Sequence, residues 1–233
     1  MLLQVDNLSK QYNHHTDGLV DALKDVTFTI EKGMFVAITG PSGAGKSTLL
    51  LMLGGLVHPT AGQVVFNNES LYALQHDGLA GFRRRHVGFV MQNFGLIPYL
   101  SALQNVMVPL ALQTMDAEVQ KKRAIDLLDS VGLTGRINHL PRELSSGQQQ
   151  RVAIARAMAN KPSMILADEP TGNLDPGLAR EILDLLKTLN VEKGVTVIMV
   201  THSPQAADYG TMRIQLKEGR LEQSNAASVR HNA

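Results

Sequence analysis

The sequence predicts an α/β fold interrupted by a helical insert, and three observations carry that expectation. Short apolar runs at residues 2–8, 26–30, 34–39, 63–66 and 87–91 have strand length and pattern. Residues 101–159 read as mostly helical, with 116–131 amphipathic through Val119, Ile125, Leu128 and Val131. Strand and helix then alternate again at 164–167 (strand), 177–190 (helix) and 195–200 (strand).

A chain of 233 residues with 44% hydrophobic composition can bury one sizeable core, or one core with a subdomain attached. Its net charge of +1 argues against a nucleic-acid surface acting by bulk electrostatics. The absence of Cys removes disulfides, thiolate catalysis and Cys-based zinc sites together. The N-terminus has no basic stretch followed by an apolar one, so no signal segment is expected. The longest apolar stretch, residues 49–57, is interrupted by Gly54 and Gly55, and a bilayer-spanning helix needs roughly 20 apolar residues. Any membrane role is therefore expected to come through a partner.

The run at 34–39 leads into Gly40-Pro41-Ser42-Gly43-Ala44-Gly45-Lys46-Ser47, with a helix expected to begin near Lys46 and with residues Gly40 to Ser47, together with Thr48, expected to bind the nucleotide. This is the P-loop pattern in its required context, after a strand and at a helix start. The glycines let backbone N–H groups turn inward around a phosphate, and the helix N-terminus adds partial positive charge. Lys46 can reach the β- and γ-phosphates of ATP, and the Ser47 hydroxyl can ligate Mg²⁺. The apolar strand at 164–167 delivers Asp168 and Glu169. Asp168 suits a Mg²⁺ contact through water, and Glu169, pointing the other way, suits a general base for an attacking water. Pro141 and Ser145-Ser146-Gly147 mark a break and a new helix start.

Leu144-Ser145-Ser146-Gly147-Gln148 resembles the signature motif of ATP-binding-cassette (ABC) ATPases, with Ser146 standing where that family usually has Gly. The resemblance covers nearly the whole chain. It implies a P-loop NTPase fold: a RecA-like core sheet, an antiparallel β-subdomain and an inserted helical subdomain. It divides the chain into a nucleotide-binding lobe (1–91 and 162–223) and a helical subdomain (92–161), while the polar, small-residue-rich composition of the end, from Gln223 on and chiefly 224–233, predicts a disordered tail. It implies that Ser145 and Gly147, flanked by Ser146 and Gln148, contact the γ-phosphate of an ATP molecule. It likewise implies that Gln92 touches Mg²⁺ and water, that His202 contacts the γ-phosphate, and that Tyr12 stacks on adenine. Asn173-Leu174-Asp175 resembles the loop that crosses the dimer interface.

Spacing adds a geometric argument. Lys46 and Asp168 are 168 − 46 = 122 residues apart, whereas Ser145 lies only 168 − 145 = 23 residues before Asp168. One helix and a turn fill that shorter interval, which places Ser145 far from its own P-loop. A phosphate contact from Ser145 then requires a second copy, arranged head to tail around two ATP molecules.

The segments 85–94 and 168–175 resemble those of lipoprotein-releasing, macrolide-export, bacitracin-resistance and haem-export ATPases. That resemblance implies a homodimer at the cytoplasmic face of the membrane, bound to separate membrane subunits with an extracytoplasmic domain. It implies export or extraction of a hydrophobic, lipidic or drug-like cargo, with residues 94–103 in the groove that receives the partner. A regulatory ATPase of the cell-division type, which moves no cargo, is the alternative. Soluble relatives acting on DNA or ribosomes carry paired cassettes, coiled coils or zinc modules, none of which this sequence has. The basic run Arg83-Arg84-Arg85-His86 reads as a solvated face or a surface for lipid or partner, and His14-His15 as a loop without metal spacing.

Overall fold

The structure, a computed structural model, describes residues 1–14 and 18–226. The chain opens with β1 (Leu3–His14) and β2 (Gly18–Ile30), an antiparallel hairpin with Leu3 opposite Ile30 and Tyr12 opposite Val20. The next strand, β3 (Phe35–Thr39), is buried along its first four residues, as a parallel strand covered on both faces should be. After the glycine-rich turn come α1 (Lys46–Leu53), β4 (Ala61–Phe66), β5 (Glu69–Ser70), α2 (His76–His86) and β6 (Val87–Met91). The helical stretch holds α3 (Ala102–Met107), α4 (Ala117–Ser130) and α5 (Ser146–Ala157). The chain closes with β7 (Met164–Asp168), α6 (Pro176–Lys193), β8 (Thr196–Val200), α7 (Pro204–Ala207), β9 (Met212–Lys217) and β10 (Arg220–Ala226).

Two sheets result. The core sheet runs β10-β9-β3-β8-β7-β6, parallel except for β10, and a second, antiparallel sheet runs β2-β1-β4-β5. This is the P-loop NTPase arrangement of core sheet and antiparallel β-subdomain that the motifs imply. One apolar cluster joins the two sheets through Leu3, Ile30, Leu49, Leu53 and Ile198. A second packs α6 against the opposite face through Ile182, Leu186, Val197 and Met199. A third lies among α3, α4 and α5. Helix α5 belongs to two of them: Ile154 and Ala157 face the core sheet, while Val152 and Ala155 face the other helices.

The structure departs from the sequence expectation in several elements. The first two strands extend well past residues 8 and 26 because the hairpin continues through backbone pairing after its apolar residues stop. Helix α2 and strands β9 and β10 are additional elements. Residues 224–226, expected within the disordered tail, are paired instead: Ser224 and Ala226 lie opposite Ile214 and Met212 of β9. Main-chain hydrogen bonds hold this edge without an apolar side-chain pattern. Residues 227–233 and His15 lie outside the described residues, as does the side chain of His14.

Candidate functional site

The parallel ladders align Ile38, Val200, Asp168 and Met91 in one row across β3, β8, β7 and β6. One residue further along, at the carboxyl edge of the sheet, stand Thr39, Thr201, Glu169 and Gln92. Open α/β sheets bind ligands at this edge, because the loops leaving it converge there.

The glycine-rich turn leaves β3 at this edge. Gly40, Gly43 and Gly45 have φ of 144°, 78° and 94°. A Cβ at Gly40 would stand 2.1 Å from the Leu216 carbonyl oxygen, and one at Gly45 would stand 2.2 Å from that of Ala22. A Cβ at Gly43 would meet nothing within 4 Å. All three use the backbone freedom of glycine; at Gly40 and Gly45 the missing Cβ also permits close packing against β9 and β2, whereas Gly43 serves conformation only. The Lys46 side chain is buried, and its ammonium donates to the Gly40 and Pro41 carbonyls at 2.9 Å each. Burial lowers the Lys46 pKa from the ordinary lysine value, while the Glu169 and Asp168 carboxylates act in the opposite direction. The first turn of α1 carries no acidic side chain, so its partial positive charge is not neutralised from within. Pro41 and Ser42 are exposed at the mouth of the turn, Ala44 is buried beneath it, and Thr48 is half-buried.

Ser47 Oγ donates to Asp168 Oδ1 at 3.1 Å, so the structure brings these two expected Mg²⁺ ligands together. The third, Gln92, is exposed and turned aside: its amide donates to Asn173 Oδ1 at 3.4 Å, and Gly172 packs against it. Asn173 in turn donates to the Gln92 carbonyl and to Asn93 Oδ1. Glu169 has a left-handed backbone with φ of 48°, so a turn, rather than strand alternation, sets its direction. Its carboxylate is 18% exposed, with Oε1 3.1 Å from His202 Nε2. That approach is not aligned as a hydrogen bond, and Oε1 remains buried without a donor. Glu169 Oε2 accepts from the His202 backbone N–H at 3.4 Å. An acceptor in this state suits a water proton.

Tyr12 lies on β1 opposite Val20, with Lys10 Nζ 5.0 Å from its ring centroid. Leu19 and Val20 beside it are exposed, giving an apolar platform on the β2 hairpin. Ser145 caps α5 in a capping box with Gln148: each side chain bonds the other's backbone N–H. Ser146 is the first helical residue and is not left-handed, so the usual glycine is not required there. Gly147 is buried, and a Cβ on it would come within 3.1 Å of Leu178. Helix α5 packs on β6. Because β7 and β8 separate β6 from β3, that places it about 14 Å along the sheet from the P-loop strand. The structure therefore assembles the P-loop, Asp168, Glu169 and His202, and leaves the Ser145 turn apart from them.

Three side chains that the sequence motifs do not single out also shape this edge. Gln150 is fully buried and donates to the Pro170 carbonyl at 2.6 Å, beside Glu169. Asn105, also fully buried, accepts from the Ile97 N–H and donates to the Ile97, Leu100 and Ser101 carbonyls. Arg156 donates to the Phe94 and Gly95 carbonyls. The basic run is largely occupied: Arg83 donates to the Gly55 carbonyl, Arg84 to that of Leu112, and His86 lies 3.1 Å from Ser163 Oγ.

Comparison with known proteins places this geometry in a family. The ABC transporter family profile matches residues 23–172. An ABC transporter ATP-binding protein of Methanocaldococcus jannaschii, MJ0796, is 47% identical over 225 residues, covering 95% of each chain. The ABC transporter ATP-binding protein YtrE of Bacillus subtilis is 44% identical over 87% of this chain and 88% of that one. The macrolide export ATP-binding/permease protein MacB of Rhodopirellula baltica is 43% identical over all of this chain but only 34% of its own length. Among solved structures, MJ0796 in a dimeric post-hydrolysis state bound to ADP and Pi superposes with a TM-score of 0.89, covering 97% of this chain and 99% of that one at 44% identity. With a family match over more than half of its length and relatives of this identity along nearly all of it, the chain belongs to the ABC transporter ATP-binding family.

Proposed function

We propose that this chain is the ATP-hydrolysing subunit of a membrane transporter, acting as a homodimer at the cytoplasmic face of the membrane. The observation that carries the reading is the grouping at the sheet edge. Lys46 and an uncompensated helix N-terminus lie on one side, and Glu169, with an unmet acceptor, lies beside His202 on the other.

The chemistry follows from these groups. The P-loop amides and Lys46 hold the triphosphate, with the ammonium leaving its loop carbonyls for phosphate oxygens. Glu169 Oε1 accepts a proton from water as the water oxygen bonds to the γ-phosphorus and the bond to ADP breaks. His202 Nε2, 3.1 Å away, is placed to orient the same water or the γ-phosphate. The oxygen donors Ser47 and Asp168, 3.1 Å apart, fit Mg²⁺, with phosphate oxygens and water completing its shell. When bound, Mg²⁺ neutralises charge developing on the phosphates. Tyr12 would stack on adenine, and Gln92 would swing from Asn173 towards the metal and water.

The signature residues Ser145–Gln148 would meet the γ-phosphate bound by a second copy, a reading supported by the dimeric state of MJ0796. No helix of the described residues is long and apolar enough to cross a membrane; in this proposal the transport path belongs to membrane subunits. Tyr99, 77% exposed in the segment 94–103, marks the face that would receive them. The MacB relative, a macrolide export protein with a permease part, favours outward movement of a hydrophobic or drug-like cargo; a partner with an extracytoplasmic domain rests on the resemblance of segments 85–94 and 168–175 alone.

The test is Mg²⁺-dependent ATP hydrolysis by the purified chain and by Glu169→Gln. The reading requires turnover in the first and its loss, with ATP still bound, in the second. Equal turnover in both removes Glu169 from the base role.

A further inference from the structure

We infer that Arg156 is a positioning residue, a clamp that holds the turn following Gln92 in a strained shape and ties it to the signature helix. The inference rests on the ATPase reading above and adds a residue to it.

Phe94 and Gly95 are consecutive left-handed residues, each with φ of 59°. Glycine adopts this conformation freely, whereas an aromatic residue rarely does. The turn's own bonds, from the Phe94 N–H to the Met91 carbonyl and from the Gly95 N–H to the Asn93 carbonyl, use its donors but leave the Phe94 and Gly95 carbonyls to be met from outside. Arg156 Nη1 donates to the Gly95 carbonyl at 2.6 Å and Nη2 to the Phe94 carbonyl at 2.9 Å. The guanidinium thus spans the two left-handed residues, of which Phe94 is the strained one, with its planar fork, a geometry that a lysine ammonium cannot reproduce. No carboxylate lies within ion-pair distance of it among the described residues. Burial also lowers its pKa from the ordinary arginine value. A half-buried cation that binds two carbonyls and no carboxylate gives up part of its hydration without gaining a counter-charge, and packing alone does not ask for that.

The position of Arg156 supplies the reason. It sits near the end of α5, the helix capped by Ser145, which is packed against both the core sheet and the helical cluster. The turn it holds lies two residues beyond Gln92 and leads to exposed Tyr99. One rigid helix therefore connects the signature turn at its start to the Gln92 turn at its end. Through the clamp, Arg156 sets where Gln92 stands relative to Glu169 without touching substrate.

The experiment compares Arg156→Met, Arg156→Lys and the double variant Arg156→Met/Phe94→Asn, since Asn tolerates the left-handed region. For Arg156→Met, kcat should fall about 10- to 100-fold while KM for ATP stays within about 3-fold, because the P-loop is untouched. Arg156→Lys should recover part of that loss. The double variant should recover more, because its turn needs no external clamp. Hydrogen exchange of the peptide covering residues 93–101 should quicken in Arg156→Met and slow again in the double variant, whether or not the protein hydrolyses ATP. Wild-type kcat in Arg156→Met, or unchanged exchange in this peptide, overturns the clamp. So does failure of the double variant to recover either quantity. Absence of hydrolysis in the unsubstituted chain counts against the ATPase reading instead, and the exchange data then decide the clamp alone.

Discussion

The P-loop edge and the signature turn are built in opposite ways. At the P-loop edge groups from separate segments meet, Ser47 with Asp168 and Glu169 with His202, while Lys46 folds back on the carbonyls of its own loop. At the signature turn the bonds close on themselves, Ser145 with Gln148 and back, on a helix lying over the far side of the sheet. The first region is a nearly complete site lacking one wall. The second is a wall with nothing of its own to enclose. Under the function proposed above, the difference means that the unit of function is larger than the chain.

Breaking the first region should have the largest effect. Glu169→Gln removes the proton acceptor and should lower kcat about 10²- to 10⁴-fold with ATP still bound, as steady-state kinetics and nucleotide titration would read. A sharper test mixes defective copies. Ser145→Ala subunits and Glu169→Gln subunits, each poorly active alone, should regain roughly a quarter of wild-type turnover when mixed equally. Half of the dimers are then mixed, and each has one of its two sites intact. No recovery would mean that each chain uses its own signature.

Smaller effects separate the glycines. Gly40→Ala drives a Cβ into the Leu216 carbonyl and should destabilise the fold by about 1–3 kcal/mol. Gly43→Ala meets nothing and should cost only about 1–2 kcal/mol for its left-handed backbone. Denaturant midpoints measure both, and equal values would erase the distinction between packing and conformational glycines.

The smallest effect lies away from both walls. Burial first and Arg85 second lower the His86 pKa in the folded state. The unfolded chain takes up this proton first, so His86 contributes full stability above about pH 6.5 and loses it as pH falls towards the folded value. His86→Gln should flatten the stability profile in that window, as urea unfolding at stepped pH would show.

The sequence made the first region legible because its chemistry needs particular residues in fixed order. Glycines, Lys46 and Ser47 follow an apolar strand, and paired carboxylates end another, so a linear pattern encodes a local geometry. The cap at Ser145 was legible for the same reason. The left-handed backbone of Glu169 was not, because neighbouring turns impose it. Gln150, Arg156 and Asn105 were hidden as well: each bonds backbone carbonyls of a segment distant in sequence or in an irregular loop, which no periodicity encodes. Strand β9 did carry a signal, since Met212, Ile214 and Leu216 alternate with Arg213, Gln215 and Lys217. Strand β10 carried little, and its polar residues resemble a tail until β9 pairs with them.

The central claim is that the missing wall is a second copy, drawn in by ATP. Sedimentation of Glu169→Gln, which should bind ATP without consuming it, tests this most directly. The account expects a species near the 25.3 kDa chain mass without nucleotide, and one of about twice that mass with ATP. Substitution of Ser145 in the same variant should weaken the larger species. A Glu169→Gln protein that binds ATP and remains at the mass of one chain would contradict the account.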